Sequence, residues 1–292
     1  MNPPAPLLAV RGLTKDFPGA RRGLDTRAGP AVRAVEAVSF DLAPGTSFGL
    51  VGESGCGKST VVRCILRAHA PTAGEIFFRL PDGGVVDLAR LTARELKPLR
   101  RHAQLVFQDP YSSLNPRLSV RDIVGEPLVI HRLARGAELD DRVSDMLRRV
   151  GLDPARRDCY PHAFSGGQRQ RIAIARALIL RPSLLVCDEA TSALDLSVQA
   201  QVLDLLKELQ RELRLTCLFV AHNLDVVRNF CDQVAVMRRG RIVEQAPVAE
   251  IFSRPQHAYT RLLLSAIPSA DPDVPMNFQA GDDLARLDAT TA

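Results

Sequence analysis

The chain has 292 residues, of which 46% are hydrophobic and 24% are charged, and its net charge is +5 at pH 7. These proportions are those of soluble globular proteins, and the length allows two ordinary domains or one large α/β domain with an insertion. They exclude collagen-like, coiled-coil and mucin-like chains, and no apolar run approaches the roughly 18 to 20 residues of a membrane-spanning helix.

The N-terminal part of the chain gives mixed signals. Residues 1–10 contain prolines and lack a cationic start followed by an apolar stretch, so the sequence predicts no secretory signal and a cytoplasmic location. Residues 18–30 are rich in Arg, Gly and Pro, and we expect them to connect two edge strands.

From residue 48 onward, short β-rich runs alternate with helical patterns, which predicts a mostly parallel sheet covered by helices. Residues 48–51 form an apolar run that ends in a glycine-rich turn, and residues 59–67 carry apolar side chains at helical spacing. The later predicted elements are a helix at 168–180, a strand at 184–187, a helix at 198–213, a strand at 216–221 and a hairpin that joins 234–237 to 242–243 across Arg239-Gly240.

Two segments depart from this alternation. Residues 109–162 show a turn at Asn115-Pro116, helix starts at Ser119 and near Asp140, and no convincing buried strand, which indicates a helical insert. Residues beyond about 269 are polar, contain proline and lack periodicity, so we expect a tail.

The cysteines indicate neither a metal site nor a disulfide framework. There are six, without a CxxC motif or a Cys/His pair at zinc spacing, and most lie in apolar runs. We expect reduced core residues, since long cytosolic chains rarely use disulfides.

The most specific motif lies between the first predicted strand and helix of the alternating region. Gly52-Glu53-Ser54-Gly55-Cys56-Gly57-Lys58-Ser59 fits the pattern GxxxxGK[ST]. Glycines let backbone N–H groups surround phosphate oxygens, the lysine reaches the β and γ phosphates, and the serine hydroxyl coordinates Mg²⁺. An accidental match in a chain of this length is expected about once in a hundred, so the motif predicts a nucleotide site.

Two further motifs gain meaning from this one. Asp188 and Glu189 follow a predicted buried strand, where one carboxylate can hold the magnesium shell and the other can orient or deprotonate a water. Strands often end in an acid, so this signal alone is weak.

The segment Ser165-Gly166-Gly167-Gln168 precedes a helix that Ser165 can cap, and it forms a second candidate anion site. Two such sites suggest either two nucleotides or one nucleotide shared between two copies.

These residues together resemble the ATP-binding subunits of ABC transporters. The resemblance rests on the ordered set of residues 52–59, Gln108, 165–168, 188–189, Ser192-Ala193-Leu194-Asp195 and His222, and it covers residues 8 to about 250. Residues 106–116, 164–172 and 257–263 are similar to the dipeptide, oligopeptide and nickel importer branch. The resemblance implies an α/β fold: a RecA-like P-loop ATPase core with an antiparallel β element and a helical insert.

The resemblance also implies a division of the chain. Residues 1–108 would hold the β element and the first part of the core, 109–164 the insert, 165–250 the second part of the core, and 251–292 a C-terminal segment and tail.

The resemblance further implies roles for individual residues. Phe17 would stack on adenine, Gln108 would touch magnesium and the attacking water, and His222 would hold the γ-phosphate and Glu189 in register. Asp195 would lie at a dimer seam, and the segment 165–168 would contact nucleotide bound by the opposite subunit. The full nucleotide-binding set would be Phe17, Gly52, Ser54, Gly55, Cys56, Gly57, Lys58, Ser59, Thr60, Ser165, Gly166, Gly167, Gln168 and Asp195; the metal set Ser59, Gln108 and Asp188; and the catalytic set Glu189, His222 and Gln108.

This sequence departs from the pattern of the family at a few positions. Asn223 stands where Asp is usual, and Ala258 replaces a proline usual in the C-terminal segment of the branch. Some relatives carry a C-terminal iron–sulfur cluster, but no cysteine follows Cys231, and we expect no cluster here.

The function implied is ATP hydrolysis, with ATP and Mg²⁺ as cofactors, that drives uptake of peptides or of a solute such as nickel. The expected partners are a related but different ATPase chain, two membrane permeases and, indirectly, an extracytoplasmic binding protein, with this chain peripheral on the cytoplasmic face of the membrane.

A rival function is that of an ABC ATPase that acts on nucleic acid or ribosomes, which the basic charge favours. The long coiled-coil insertion, zinc pairs or second cassette typical of that class are not seen in this sequence. A P-loop GTPase or kinase would need an N-K-x-D motif or a substrate site in place of the 165–168 segment, and neither appears in the sequence.

Overall fold

The computed structural model describes residues 5–19, 31–107, 113–189, 195–221 and 224–265. The strands are β1 (Leu8–Phe17), β2 (Val32–Leu42), β3 (Ser47–Val51), β4 (Ala73–Arg79), β5 (Val85–Asp87), β6 (Ala103–Val106), β7 (Leu184–Asp188), β8 (Thr216–Ala221), β9 (Gln233–Arg238) and β10 (Arg241–Pro247). The α-helices are α1 (Lys58–Ile65), α2 (Ala93–Leu99), α3 (Val120–Ile130), α4 (Gly136–Arg149), α5 (Gly166–Leu178), α6 (Leu196–Leu213), α7 (Leu224–Phe230), α8 (Val248–Ser253) and α9 (Ala258–Ser265).

Six strands form the larger sheet in the order β10-β9-β3-β8-β7-β6. The strands β9, β3, β8, β7 and β6 are parallel, and β10 pairs antiparallel with β9 at one edge. Every residue of β3 and β8 is buried, which explains why both are read from the sequence as continuous apolar runs. The predicted mixed α/β fold with an antiparallel element is confirmed.

The predicted hairpin is also confirmed. Arg238 pairs with Arg241, so Arg239 and Gly240 form a two-residue turn, and their φ angles are +47° and +82°. Positive φ at both central positions is the geometry of a tight β-hairpin turn.

The second sheet is antiparallel, in the order β2-β1-β4-β5. The expectation that residues 18–30 connect two edge strands is half wrong: β2 lies at the edge, but β1 lies between β2 and β4. The reason is the hairpin β4–β5, which the sequence pattern did not reveal and which covers the other side of β1. Most of the connecting segment itself, residues 20–30, lies outside the described residues.

The parallel sheet divides the interior into two cores, because successive side chains of a strand point to opposite faces. Leu184 and Val186 of β7 pack with β1, β2, β4 and α1, whereas Leu185 and Cys187 pack with the helices α3 to α8. The antiparallel sheet and the helical layer therefore lie on opposite faces of the parallel sheet.

Residues 113–164 carry helices and no strand, as expected for the described part of the insert. Ser119 caps α3 by accepting a hydrogen bond from Asp122 N at 3.1 Å, as predicted. The helix expected near Asp140 begins earlier, at Gly136, because its buried stripe of Leu139, Val143 and Leu147 already begins in the first turn.

All six cysteines are free, and five of them are buried, so the prediction of reduced core residues is confirmed. Burial raises the pKa of the Cys217 thiol to about 12. Among the helices that the structure describes, none combines the length and the apolar character needed to cross a membrane.

Candidate functional site

The glycine-rich loop, residues 52–57, joins the end of β3 to the start of α1 and is called the phosphate loop below. Because β3 lies between β9 and β8, the loop leaves the carboxyl end of a central parallel strand, where α/β proteins bind their ligands. The strand, loop and helix predicted from the motif are all present.

Backbone conformation and close packing within the chain require glycine at two positions of this loop. Gly52 has φ +147°, and a Cβ there would lie 2.1 Å from Met237 O. Gly57 has φ +108°, and a Cβ there would lie 2.4 Å from Ala34 O. Gly55, with φ +81°, has open space around it. The loop is therefore packed against β9 at its first residue, Gly52, and against β2 at its last residue, Gly57.

Lys58 is buried, and its ammonium is held by the loop that precedes it. Nζ donates hydrogen bonds to Gly52 O and Glu53 O, each at 2.7 Å, and lies 3.6 Å from Cys56 Sγ. The lysine therefore crosses from the first turn of α1 back to the beginning of the phosphate loop.

Ser59 and Asp188 come together from different elements. Ser59 Oγ, in the first turn of α1, donates a hydrogen bond to Asp188 Oδ1 at the end of β7 over 3.1 Å. Burial raises the pKa of the Asp188 carboxyl, the hydrogen bond from Ser59 lowers it, and the charge of Glu189 raises it; the net shift is upward. A hydroxyl and a carboxylate are oxygen ligands of the kind that Mg²⁺ prefers, so the pair fits that ion.

Glu189 follows Asp188 in the left-handed region, with φ +50°. Its N–H donates to Val220 O at 2.9 Å, so the chain is still paired with β8 at this residue. A non-glycine residue with positive φ costs about 1 to 3 kcal/mol and is frequent at functional sites. This conformation was not visible in the sequence.

The segment 165–168 begins α5 as predicted. Ser165 Oγ accepts from Gln168 N at 3.3 Å, and Gln168 Oε1 accepts from Ser165 N at 3.1 Å, so the two residues form a capping box. A Cβ on Gly167 would lie 2.4 Å from Val198 Cγ1, which shows how closely α5 approaches α6.

Asp195 caps the neighbouring helix, α6. Its Oδ1 accepts from Val198 N at 2.9 Å and from Ser197 Oγ at 2.8 Å, and these hydrogen bonds lower the pKa of the carboxyl. Ser165 and Asp195 are both exposed, and Leu196 is 81% exposed. The two helix starts thus form one exposed surface, and within the described ranges no hydrogen bond of Ser165, Gln168 or Asp195 reaches the phosphate loop.

The remaining predicted residues fall into two groups. Phe17 ends β1, where its ring meets His69 edge-on at 5.4 Å between centroids and Lys15 Nζ lies 5.0 Å from its centroid. Thr60 lies within α1, and Ser54 is exposed in the phosphate loop. Gln108 and His222 lie outside the described residues, and their roles stay predictions.

Sequence reasoning missed one residue at this site, Tyr259 in α9. Its hydroxyl accepts a hydrogen bond from Glu53 N at 3.1 Å. The available signal was the resemblance of residues 257–263 to the importer branch, which marked the segment but gave it no role.

Two known families match parts of this chain. The family described as "ABC transporter" matches residues 35–192, and the family described as "Oligopeptide/dipeptide transporter, C-terminal region" matches residues 243–282. The second match includes α9, and hence Tyr259.

Two curated relatives illustrate the similarity. A putative peptide import ATP-binding protein of Brucella ovis is 50% identical over 268 residues, which are 92% of this chain and 80% of the relative. The glutathione import ATP-binding protein GsiA of Pectobacterium atrosepticum is 51% identical over 267 residues, which are 91% of this chain. This chain spans only 42% of the length of GsiA.

Solved structures show the same fold. A dimeric post-hydrolysis state of the ATP-binding cassette MJ0796 bound to ADP and Pi has a TM-score of 0.69 at 28% identity and covers 82% of this chain and 98% of its own. The protein cbiO1 of Clostridium perfringens, part of the transporter complex cbiONQ, has a TM-score of 0.70 at 29% identity and covers 85% of this chain and 91% of its own.

Proposed function

Because the chain belongs to the ABC transporter family, we propose that it binds Mg-ATP and hydrolyses it to drive the uptake of a solute. One observation carries the ATP site: Ser59 from α1 is hydrogen bonded to Asp188 from β7, and the charge of the buried Lys58, next to Ser59 in the chain, acts on that carboxyl. A phosphate-contacting cation and a metal-holding pair in one place are what phosphoryl transfer requires.

The roles we propose follow the chemistry of each group. The backbone of Gly52, Ser54, Gly55, Cys56 and Gly57, with Lys58 and Thr60, binds the phosphates, and Phe17 stacks on the adenine. Ser59, Asp188 and Gln108 hold Mg²⁺, which supplies positive charge against the phosphate oxygens. Glu189 takes the proton of the attacking water, and His222 holds the γ-phosphate in register.

The second half of the ATP site is proposed to come from another subunit. Ser165 and Asp195 lie on an exposed surface together with Leu196, so another chain can reach both helix starts. The dimeric ABC cassette among the similar structures supports this arrangement. Ser165, Gly166, Gly167 and Gln168 would contact nucleotide held by the partner, which we propose is a related but different chain.

We further propose that this is the ATP-binding subunit of a peptide importer. The names of the relatives and the match to the oligopeptide/dipeptide C-terminal region support peptides or glutathione-like solutes over the nucleic-acid alternative. The chain would dock, peripheral on the cytoplasmic face, beneath two membrane permeases that an extracytoplasmic binding protein supplies. We propose the division of the chain into residues 1–108, 109–164, 165–250 and 251–292, with the helical insert at 109–164.

The decisive experiment is Glu189→Gln. The amide keeps the shape of the side chain but cannot accept the proton, and a general base contributes about 10²- to 10⁴-fold in rate. We expect phosphate release to fall by that factor while Mg-ATP binding persists and the assembled pair stays associated in light scattering. The matched control is Glu75→Gln, whose carboxylate makes a surface ion pair with Arg90 at 2.8 Å.

Each outcome bears on one part of the proposal. Hydrolysis by Glu189→Gln at the rate of the control would refute the choice of base. Arrest without ATP-dependent association would refute the shared site. Failure of the wild-type chain to bind Mg-ATP, or full binding by Lys58→Ala, would refute the ATP site as a whole.

A further inference from the structure

The outer side of the phosphate loop is held by the C-terminal part of the chain. Gly52 approaches Met237 O, as described above, and Gly240 N donates to Cys56 O at 2.9 Å. The third contact is the hydrogen bond from Glu53 N to the Tyr259 hydroxyl. The strand β9, the turn between β9 and β10, and the helix α9 therefore meet the loop at three points.

Tyr259 is well fixed for such a contact. Its side chain is fully buried, and the guanidinium of Arg238 lies 5.1 Å from the centroid of its ring. Burial raises the pKa of the hydroxyl to about 12. The group therefore stays a neutral phenol, with an oxygen lone pair free to accept the amide proton across the physiological pH range.

The start of α9 is organised so as to present this tyrosine. The Glu244 carboxylate of β10 accepts from Gln256 N at 2.7 Å and from His257 N at 3.0 Å. His257 Nδ1 in turn accepts from Tyr259 N at 3.1 Å. These bonds tie the backbone just before and at Tyr259 to the edge strand of the parallel sheet.

The contact reaches Lys58 through a single peptide group. The peptide that joins Gly52 to Glu53 donates its N–H to Tyr259, and its C=O accepts from Lys58 Nζ at 2.7 Å. A peptide group is planar, so fixing its N–H also fixes the direction of its C=O. Tyr259 and Lys58 therefore act on opposite ends of the same rigid unit.

We propose that Tyr259 is a positioning residue of the ATP site, which orients the Gly52–Glu53 peptide and thereby holds the Lys58 ammonium in place. The proposal rests on the proposed function, because it assumes that Lys58 binds nucleotide phosphate. It makes the C-terminal segment, which matches the oligopeptide/dipeptide transporter region, a part of the nucleotide site. Tyr259 itself does not touch the reacting atoms.

The test is Tyr259→Phe, which removes only the hydroxyl. A neutral hydrogen bond of this kind corresponds to an affinity change of about three- to tenfold. We expect Mg-ATP and Mg-ADP to bind more weakly by that factor, with the rate at saturating ATP within about twofold of wild type. Amide hydrogen exchange at Glu53 should be faster, since its acceptor is gone.

Two controls separate positioning from a general loss of stability. Tyr160→Phe makes the same chemical change at a tyrosine that is 46% exposed and should leave affinity, rate and exchange unchanged. Ile251→Val shortens a buried side chain of α8, next to α9 in the chain, and should lower the melting temperature without changing nucleotide affinity.

A second test is Glu244→Gln, which removes one acceptor at the start of α9. This variant, like Tyr259→Phe, should bind nucleotide more weakly than wild type.

The possible outcomes are distinct. Unchanged nucleotide affinity and unchanged Glu53 exchange in a folded Tyr259→Phe chain would overturn the positioning role. The role would also be overturned if Ile251→Val, at an equal fall in melting temperature, lost at least as much affinity as Tyr259→Phe. Unchanged affinity in Glu244→Gln would equally refute the arrangement that presents Tyr259. Failure of Lys58→Ala to lose nucleotide would instead refute the proposed function.

Discussion

Replacing Gly57 by alanine tests whether the phosphate loop is glycine-rich because of the protein as well as because of its ligand. Gly57 precedes α1 with φ +108°, where an L-residue is strained by about 1 to 3 kcal/mol. Its Cβ would also lie 2.4 Å from Ala34 O and 3.2 Å from Met237 Cε. The first of these atoms belongs to the backbone of β2, so relief requires a shift between β2 and α1, and overpacking of this kind costs about a further 1 to 3 kcal/mol.

Gly83 offers a matched control. It lies in the turn between β4 and β5 with φ +89° and has nothing within 4 Å of its Cβ position. Gly83→Ala should therefore lower the free energy of unfolding by the backbone strain alone, about 1 to 3 kcal/mol. Gly57→Ala should lower it by about 2 to 6 kcal/mol, since both costs apply.

Chemical denaturation of the two variants measures this difference, and titration with Mg-ATP measures its functional consequence. A shifted α1 moves Lys58 and Ser59, so Gly57→Ala should lose at least about tenfold in affinity, whereas Gly83→Ala should stay within about twofold of wild type. If Gly57→Ala were as stable as Gly83→Ala and bound Mg-ATP normally, close packing of the loop against β2 would not be what requires glycine.

Two further predictions concern the exposed helix starts. Ser165→Arg should leave Mg-ATP binding by the isolated chain intact and abolish hydrolysis by the assembled pair. The control Ser119→Arg loses the same kind of cap on α3 and should keep hydrolysis. Loss of Mg-ATP binding by the isolated Ser165→Arg chain would contradict the shared site. Asp195→Ala should lower the stability of the chain and Asp195→Asn should restore most of it, because asparagine also caps helices. Since the folded-state pKa of Asp195 is lowered, its stabilisation should be present above the ordinary aspartate pKa and be lost as the pH falls through the lowered value; a pH-independent difference in melting temperature between wild type and Asp195→Ala would contradict this.

The elements predicted well from the sequence are those with a strong local signal. The strand expected at residues 48–51 is Ser47–Val51, the helix expected at 198–213 is Leu196–Leu213, and the strand expected at 216–221 is Thr216–Ala221. Parallel strands buried on both faces are continuous apolar runs, and the helix carries Val202, Leu205 and Leu209 at helical spacing on its buried face. In each case the information lies within a few residues.

The hairpin β4–β5 was missed because its reason to form is distant in sequence. Ile76 pairs with Val10 and Phe78 with Leu8, more than sixty positions earlier. The local pattern is weakened by Gly74, which has φ +98° and whose Cβ would lie 2.6 Å from Gly12 O. Only the pairing with β1 explains that glycine, and no short window of sequence contains both partners.

The candidate site divides in the same way. The motif predicted the phosphate loop, and the strand that ends in two acids predicted Asp188, whose bond to Ser59 bears out their proximity. The left-handed backbone of Glu189 and the contact of Tyr259 with Glu53 were not predictable, because each depends on a strand or helix that approaches from elsewhere in the chain.

The two helix starts assigned to ATP differ in how the chain holds them. Other parts of the chain hold the loop before α1 at three points: β2 approaches Gly57, the hairpin β9–β10 binds Cys56, and Tyr259 binds Glu53. At the start of α5, Ser165 and Gln168 form a capping box, and Ser165 lies exposed beside the start of α6. The chain itself therefore fixes the phosphate loop, whereas the exposed residues Ser165 and Asp195 are accessible to a second chain. This difference supports the proposal that the phosphate loop of one subunit binds the nucleotide and that the segment 165–168 of a second subunit covers it.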